Sequence, residues 1–520
     1  MQQNVVMRIF RELHENSDDP LRRKDREEPS PTKDEGDLFI HRPSPRKFRV
    51  LLDVEHLQHD MPHAQLFEAL VGHWRVFSLA VEAGTIVSTD FSTPARSGFL
   101  KVCHTIAAAG GPVYTWSSND KDEHPDGSST TAAYGFTQPQ MQIWETVQTY
   151  RRLERRDRGA FRLNDAVTQA ILAEVARDAG FDLLVSESPV AGCRLLPVHD
   201  RVVVVSRAEA VPVLAHYLRR QHIFLSGRLL NLKHSRHNYY EQAVHALAPA
   251  LRGWEARVAA AGSTSEVGVD VQSRYLTAIS RLARALESRD DIIWSLGSYL
   301  TAPVREDCMD DFDHLLLLLC GGVDVIARGL HVALGLDPKN VQNAKLHAQW
   351  YITNVGNRFS DRPTETDDLA ELDRLQINLR VIFELRNSIH NVQIRSVPAL
   401  GSLVGEGARR TEAPILAHVT ADIAAKISRI GSDVSTEWGF QSTYGGGAVA
   451  DLWLIADKAV ATTFRFLDLL SRIVLRNPLP DSASAVLSGQ IPEMPERLTP
   501  WEGYEDHLPT LLGLPSPHPG

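Results

Sequence analysis

Cysteine is scarce: the chain of 520 residues has four, Cys103, Cys193, Cys308 and Cys320. No two are spaced as a CxxC pair, which argues against a zinc ribbon, a redox motif or a disulfide framework. Such scattered thiols fit a reducing compartment. Long apolar runs are missing as well. The N-terminal segment has no secretory apolar core. The most apolar stretch, residues 315–320, runs straight into Gly321-Gly322-Val323-Asp324 and reads as a buried helix rather than a membrane span. A surplus of positive charge is also absent, with a net charge of -10 and a pI of about 6.1. That excludes a basic body wrapping nucleic acid non-specifically, but leaves room for a local basic groove. There is no Gly-x-Ser-x-Gly element and no dinucleotide fingerprint. Gly445-Gly446-Gly447 lacks the lysine and hydroxyl of a P-loop and reads as a turn. The expectation is a cytoplasmic protein with no membrane partner.

What is present suffices for a large core, since 43% of the residues are hydrophobic and 23% charged. Residues 1–45 form a charged, proline-punctuated tail with few large apolar side chains. Residues 46–225 alternate strand-like and helix-like patterns, which predicts an α/β domain with a parallel sheet. The expected elements are strands at 48–52, 84–88, 113–116, 181–185 and 202–205, and helices at 64–83, 99–109, from 164 to about 178, and 208–219. After residue 237 helical patterns dominate, at 238–260, 268–288, 308–334, 339–353, 365–391, 414–430 and 448–475, with a loop at 395–412. This divides the second half into a helical linker region at 226–289, an all-α bundle at 290–478 and an irregular proline-rich tail at 479–520.

One helix carries an unusual pair. Leu372, Leu375, Leu379, Ile382 and Ile389 share a stripe, and Arg386 and His390 fall inside it, one turn apart. A guanidinium in an apolar stripe needs a partner or a cavity. An imidazole beside it is held neutral by burial and by the cation. A neutral imidazole can act as a base and a guanidinium can stabilise a phosphorane-like charge, so the pair suits metal-free cleavage of RNA through its own 2′-hydroxyl. Asn387 could orient a phosphate. The structural alternative is that Arg386 pairs with a buried acid such as Asp324 and His390 is a satisfied core histidine at a helix C-terminus.

The segment Glu384-Leu385-Arg386-Asn387-Ser388-Ile389-His390-Asn391 resembles the signature helix of HEPN domains, helical bundles found in bacterial toxins and phage-defence ribonucleases. The resemblance implies an RNase site at Arg386, Asn387 and His390, formed across a homodimer, with no metal needed. The family's usual spacing from arginine to histidine is wider than here, which keeps open a non-catalytic HEPN-like domain that binds RNA or dimerises.

In the first half, Asp53 follows an apolar strand, Asp165 opens a helix, and Asp182 and Glu187 bracket another strand. Carboxylates gathered at the carboxyl ends of parallel strands would bind Mg²⁺ or Mn²⁺. The segments at 51–57, 164–188 and 202–218 resemble parts of PIN-like nuclease domains. By that resemblance Asp53, Asp165 and Glu187 are candidate metal ligands, and Glu82 or Asp90 would be the mid-domain acid. Asp182 lies at the wrong end of its strand. Asp165 as a helix cap and Asp53 as a turn residue are the plain alternatives. His56, His59 and His63, near Pro62, read as a solvated loop, and His234, Arg236 and His237 as a solvated linker. Together these features predict a protein that cleaves or senses RNA, of a bacterial defence or toxin type. The alternatives are a dimerising scaffold with degenerate nuclease domains, and a metal-dependent enzyme acting on a small nucleotide.

Overall fold

The computed structural model describes residues 47–54, 64–81, 98–107, 111–118, 128–129, 163–187, 203–226, 232–262, 266–297, 302–359, 366–389, 394–398, 415–476 and 507–515. They fall into two compact units that divide between His222 and Ile223.

The first unit is built on a sheet of β1 (Phe48–Leu52), β2 (Val76–Val81), β3 (Phe99–Ala107), β4 (Gly111–Ser118), β5 (Ser128–Ser129), β6 (Leu183–Val185) and β7 (Val203–Val205), in the order β5-β4-β3-β2-β1-β6-β7. The pairs β3–β2, β2–β1, β1–β6 and β6–β7 are parallel; β3–β4 and β4–β5 are antiparallel. The helices are α1 (Ala64–Val71), α2 (Leu163–Asp178) and α3 (Arg207–Arg220). Strand β1 shows why both faces are covered. Phe48 packs against Tyr217 of α3 with tilted rings, centroids 5.0 Å apart, while Leu51 joins Ile171, Leu172, Val175 and Phe181 in the core on the α2 side. Alternating side chains of a strand buried on both faces give the continuous apolar run that marks a parallel strand.

Two expectations fail here. The predicted helix at 99–109 is the strand β3, paired with β4 from Leu100↔Ser118 to Ala107↔Gly111. Its β-branched residues Val102, Thr105 and Ile106 favour a strand over a helix. The predicted helix at 64–83 ends at Val71, and after a turn the chain enters β2. The strand expected at 84–88 lies outside the described residues.

The second unit begins with a hairpin, β8 (Phe224–Ser226) and β9 (Leu232–His234). Helices α4 (Arg236–Leu247), α5 (Ala250–Gly262), α6 (Glu266–Gly297) and α7 (Ala302–Ala333) follow. A connector of short helical turns, including a π-helical stretch at Ile352–Gly356, leads to α8 (Thr366–Ile389). Then come β10 (Arg395–Pro398), β11 (Ile415–Val419), α9 (Ala421–Ile430), α10 (Ser432–Glu437), β12 (Gln441–Ser442), β13 (Ala448–Asp451), α11 (Leu452–Arg476) and α12 (Leu508–Leu512). Helix α8 is central, packed on α7, α9 and α11.

This region is therefore largely helical but not all-α. An antiparallel sheet, β10-β11-β13-β12, sits within it, where helices were expected at 414–430 and 448–475. The turn at Gly445-Gly446-Gly447 closes the β12–β13 hairpin: Gly446 has φ 79°, and a Cβ on Gly447 would lie 2.6 Å from the Val419 carbonyl oxygen.

Among the described residues one helix, Pro303–Ala333, is long and apolar enough to cross a membrane, and 72% of its apolar window is buried within the fold. That burial is how the core helix of a bundle meets the same length criterion. Helix α12 is held by Arg289, almost fully buried, whose guanidinium donates to Asp457 at 2.9 Å and to the Leu512 carbonyl oxygen at 3.0 Å.

Candidate functional site

The α/β unit presents its acids at two opposite edges. Strand order reverses at β1, with β2 and β3 on one side and β6 and β7 on the other, so the crevice at the carboxyl ends of β1 and β6 is a topological switch point. Asp53 lies there. Its backbone N–H donates to Val185 O at 3.0 Å, and its buried carboxylate accepts from Ser186 Oγ at 2.7 Å. Glu187, at the end of β6, accepts from the Arg207 backbone N–H at 2.8 Å and so supplies a carboxylate to the first turn of α3. Ser206 and Glu209 complete a capping box on that helix. Asp182 is at the opposite edge, accepting from the Arg49 backbone N–H at 2.9 Å. Asp165 falls in the first turn of α2, but its side chain is outside the described residues, as are Glu82 and Asp90. Among the described residues no group of three or more His, Cys, Asp or Glu could hold a metal ion. Asp53 and Glu187 each spend an oxygen on a local hydrogen bond.

In the helical unit Arg386 stands on the last turn of α8, opposite Asp324 of α7, with Nη2 at 3.7 Å from Asp324 Oδ2. The acid named as its structural partner is thus its neighbour. The pair is partly exposed, with the two side chains 22% and 20% accessible to solvent. Arg386 Nε and Asp324 Oδ1 are buried without hydrogen-bond partners. The guanidinium also lies over the Phe383 ring, 5.2 Å from its centroid.

Further cations surround this pair. Burial pushes the Asp324 carboxyl above its ordinary range, while Arg386, Arg328, Lys345 and Arg281 pull it down. Arg281 reaches across from α6, donating to the Gly321 carbonyl oxygen at 3.0 Å. The neighbouring Cys320 thiol is buried and pushed up to about 12, mainly by that burial, which leaves it unreactive.

Sequence reasoning missed one member of the group. His347, on the connector before α8, stacks on Phe383 with ring centroids 3.6 Å apart and planes 18° from parallel. Burial, then Lys345, Arg386 and Arg380, lower its pKa to about 4, so it is neutral at pH 7. Its Nδ1 is buried with no partner. A signal was available, since residues 345–358 contain Lys345, His347 and Arg358 and no acid. Asn387 is half-buried beside Arg386, and His390 lies outside the described residues. The expected solvated linker at 234–237 differs in part: Ser235 caps a helix that begins at Arg236, Arg236 is ion-paired with Glu287, and His237 Nε2 is 2.9 Å from Glu241.

No family model, no curated protein and no solved structure matches the chain.

Proposed function

We propose that this protein binds RNA through its helical unit and cleaves it, with Arg386 as the residue that engages the phosphodiester. One observation supports the reading above the others: Arg281, Arg328, Lys345 and Arg386 all act on the single carboxylate of Asp324, in a chain whose net charge is -10. A cluster with more positive than negative charge on an acidic body attracts an anion to one place instead of coating the surface. The HEPN-like reading of residues 384–391 agrees with that position. In this reading Arg386 steadies the charge that develops on phosphorus. The imidazole of His390 takes the 2′-hydroxyl proton as the 2′-oxygen bonds to phosphorus. The bond to the 5′-oxygen breaks, that oxygen takes a proton from water, and Asn387 orients the phosphate.

The test is cleavage of single-stranded RNA in EDTA. Arg386→Ala and His390→Ala each abolish cleavage while circular dichroism stays unchanged. Full activity in both variants removes the helical site from consideration. The reading also implies a cytoplasmic homodimer formed through the helical unit; sedimentation showing a monomer at all concentrations would remove the dimer.

A second reading rests on Asp53 and Glu187 lying just beyond the carboxyl ends of the neighbouring parallel strands β1 and β6. There a PIN-like domain would hold Mg²⁺ or Mn²⁺ with Asp165. In that case EDTA or Asp53→Asn abolishes cleavage and the Arg386 variant does not. If neither intervention alters an RNA-dependent signal, a dimerising scaffold with degenerate sites is the better description, and a metal-dependent enzyme on a small nucleotide is tested next.

A further inference from the structure

We propose that His347 is a phosphate-contacting residue of the Arg386 site and takes up a proton as the phosphodiester docks. The inference rests on the reading of Arg386 as an RNA contact. Its geometry is independent of His390. Phe383 carries the imidazole of His347 stacked on its ring and the guanidinium of Arg386 over the same ring. The phenyl ring thus holds two nitrogen-bearing groups, one brought by α8 and one by the connector.

The charges around the imidazole decide its behaviour. Lys345 lies on its own segment, and Arg380 and Arg386 face it from α8. From α7, Asp324 is paired with Arg386, and Arg328 acts on that carboxylate. All the groups acting directly on His347 are cations, and burial adds to them, so a proton is refused while the site is empty of anion. An arriving phosphodiester places a negative charge among these same cations. It offsets their repulsion and offers an acceptor to an imidazole N–H. Protonation then becomes favourable near the ordinary histidine range. By linkage, a group that binds a proton more tightly in the complex makes the complex tighten as pH falls.

The experiment uses the full-length protein and a labelled 2′-O-methyl-uridine oligonucleotide, which cannot be cleaved through its 2′-oxygen. Anisotropy titrations run from pH 7.5 to 5.5. Moving the imidazole from a pKa of about 4 to an ordinary value predicts a roughly ten-fold gain in affinity over that range. His347→Gln keeps a neutral hydrogen-bonding side chain and flattens the dependence. The proposal is overturned if His347→Gln keeps the full pH dependence, or if wild-type binding is flat. Loss of binding in Arg386→Ala combined with either of those results leaves the RNA reading intact and removes only the role of His347. Absence of binding by the wild type at every pH removes both.

Discussion

His245 shows what burial does to an imbalanced residue. It sits near the end of α4 with a side chain 12% exposed, its Nδ1 has no partner, and its Nε2 is 3.5 Å from a Glu255 oxygen. Burial first, then Arg252, lower its pKa to about 4. Between that value and the unfolded value near 6.5, the unfolded chain accepts a proton that the folded chain refuses. Acidification therefore favours unfolding, and this contribution to stability is present above pH 6.5 and is lost as pH falls towards 4. The two values give a loss of about 2 kcal/mol between pH 7 and pH 5. His347, lowered in the same direction, adds its own share. We expect His245→Gln to flatten the fall in urea midpoint between those two pH values by roughly half; an unaltered fall would refute the assignment. The same accounting explains why Arg386 stood out in the sequence more sharply than His347. A charge that cannot be removed stands out in an apolar stripe, whereas a histidine that becomes neutral looks like any other core residue. Only the fold brings it to Phe383.

Helix pairing depends on what each glycine in α7 faces. Gly322 lies against α6, where a Cβ would come within 3.0 Å of the Leu282 side chain, so the two helices are in close contact there. Gly329, on the same helix, would meet nothing within 4 Å. One residue type thus has opposite meanings seven positions apart. Gly322→Leu should wedge the helices and cost about 1–3 kcal/mol. Gly329→Ala should stabilise by about 0.5–1 kcal/mol, because alanine is a better helix former and nothing resists the added methyl. Thermal unfolding of both variants checks the pair; equal shifts of one sign would contradict the packing. Elements with a periodic apolar pattern, such as α7, α8 and the strands β1 and β6, were legible in the sequence. Those that failed had tertiary reasons. Residues 99–107 pair with β4, and residues 415–419 and 448–451 pair with each other in a sheet that interrupts the helices. Val381 lies off the leucine stripe of α8 yet is buried, because α7, α9 and α11 enclose that helix on several sides. A helical wheel describes one buried face and cannot report a second or third.

Across the whole molecule, an acidic chain must confine any polyanion contact to a few cations. The proposed site uses Arg281, Arg328, Lys345 and Arg386 against one carboxylate, Asp324. Each phosphate neutralised on a single strand releases counterions, giving a slope of about -0.7 in log affinity against log salt. Three to four effective cations therefore predict a slope of about -2 to -3 for single-stranded RNA. Long-range attraction from the rest of the body adds nothing, since its net charge is negative. Lys345 is exposed and lies on the connector, so Lys345→Ala should leave the fold unchanged and lower the slope by about 0.7. Fluorescence titrations at four salt concentrations, with wild type and variant compared, measure both quantities. A slope near zero, or one indifferent to Lys345, would mean that RNA meets the protein elsewhere. The acids at the switch point of the α/β unit would then be the next place to look, because cleavage carried by a bound cation needs far fewer direct phosphate contacts from lysine and arginine.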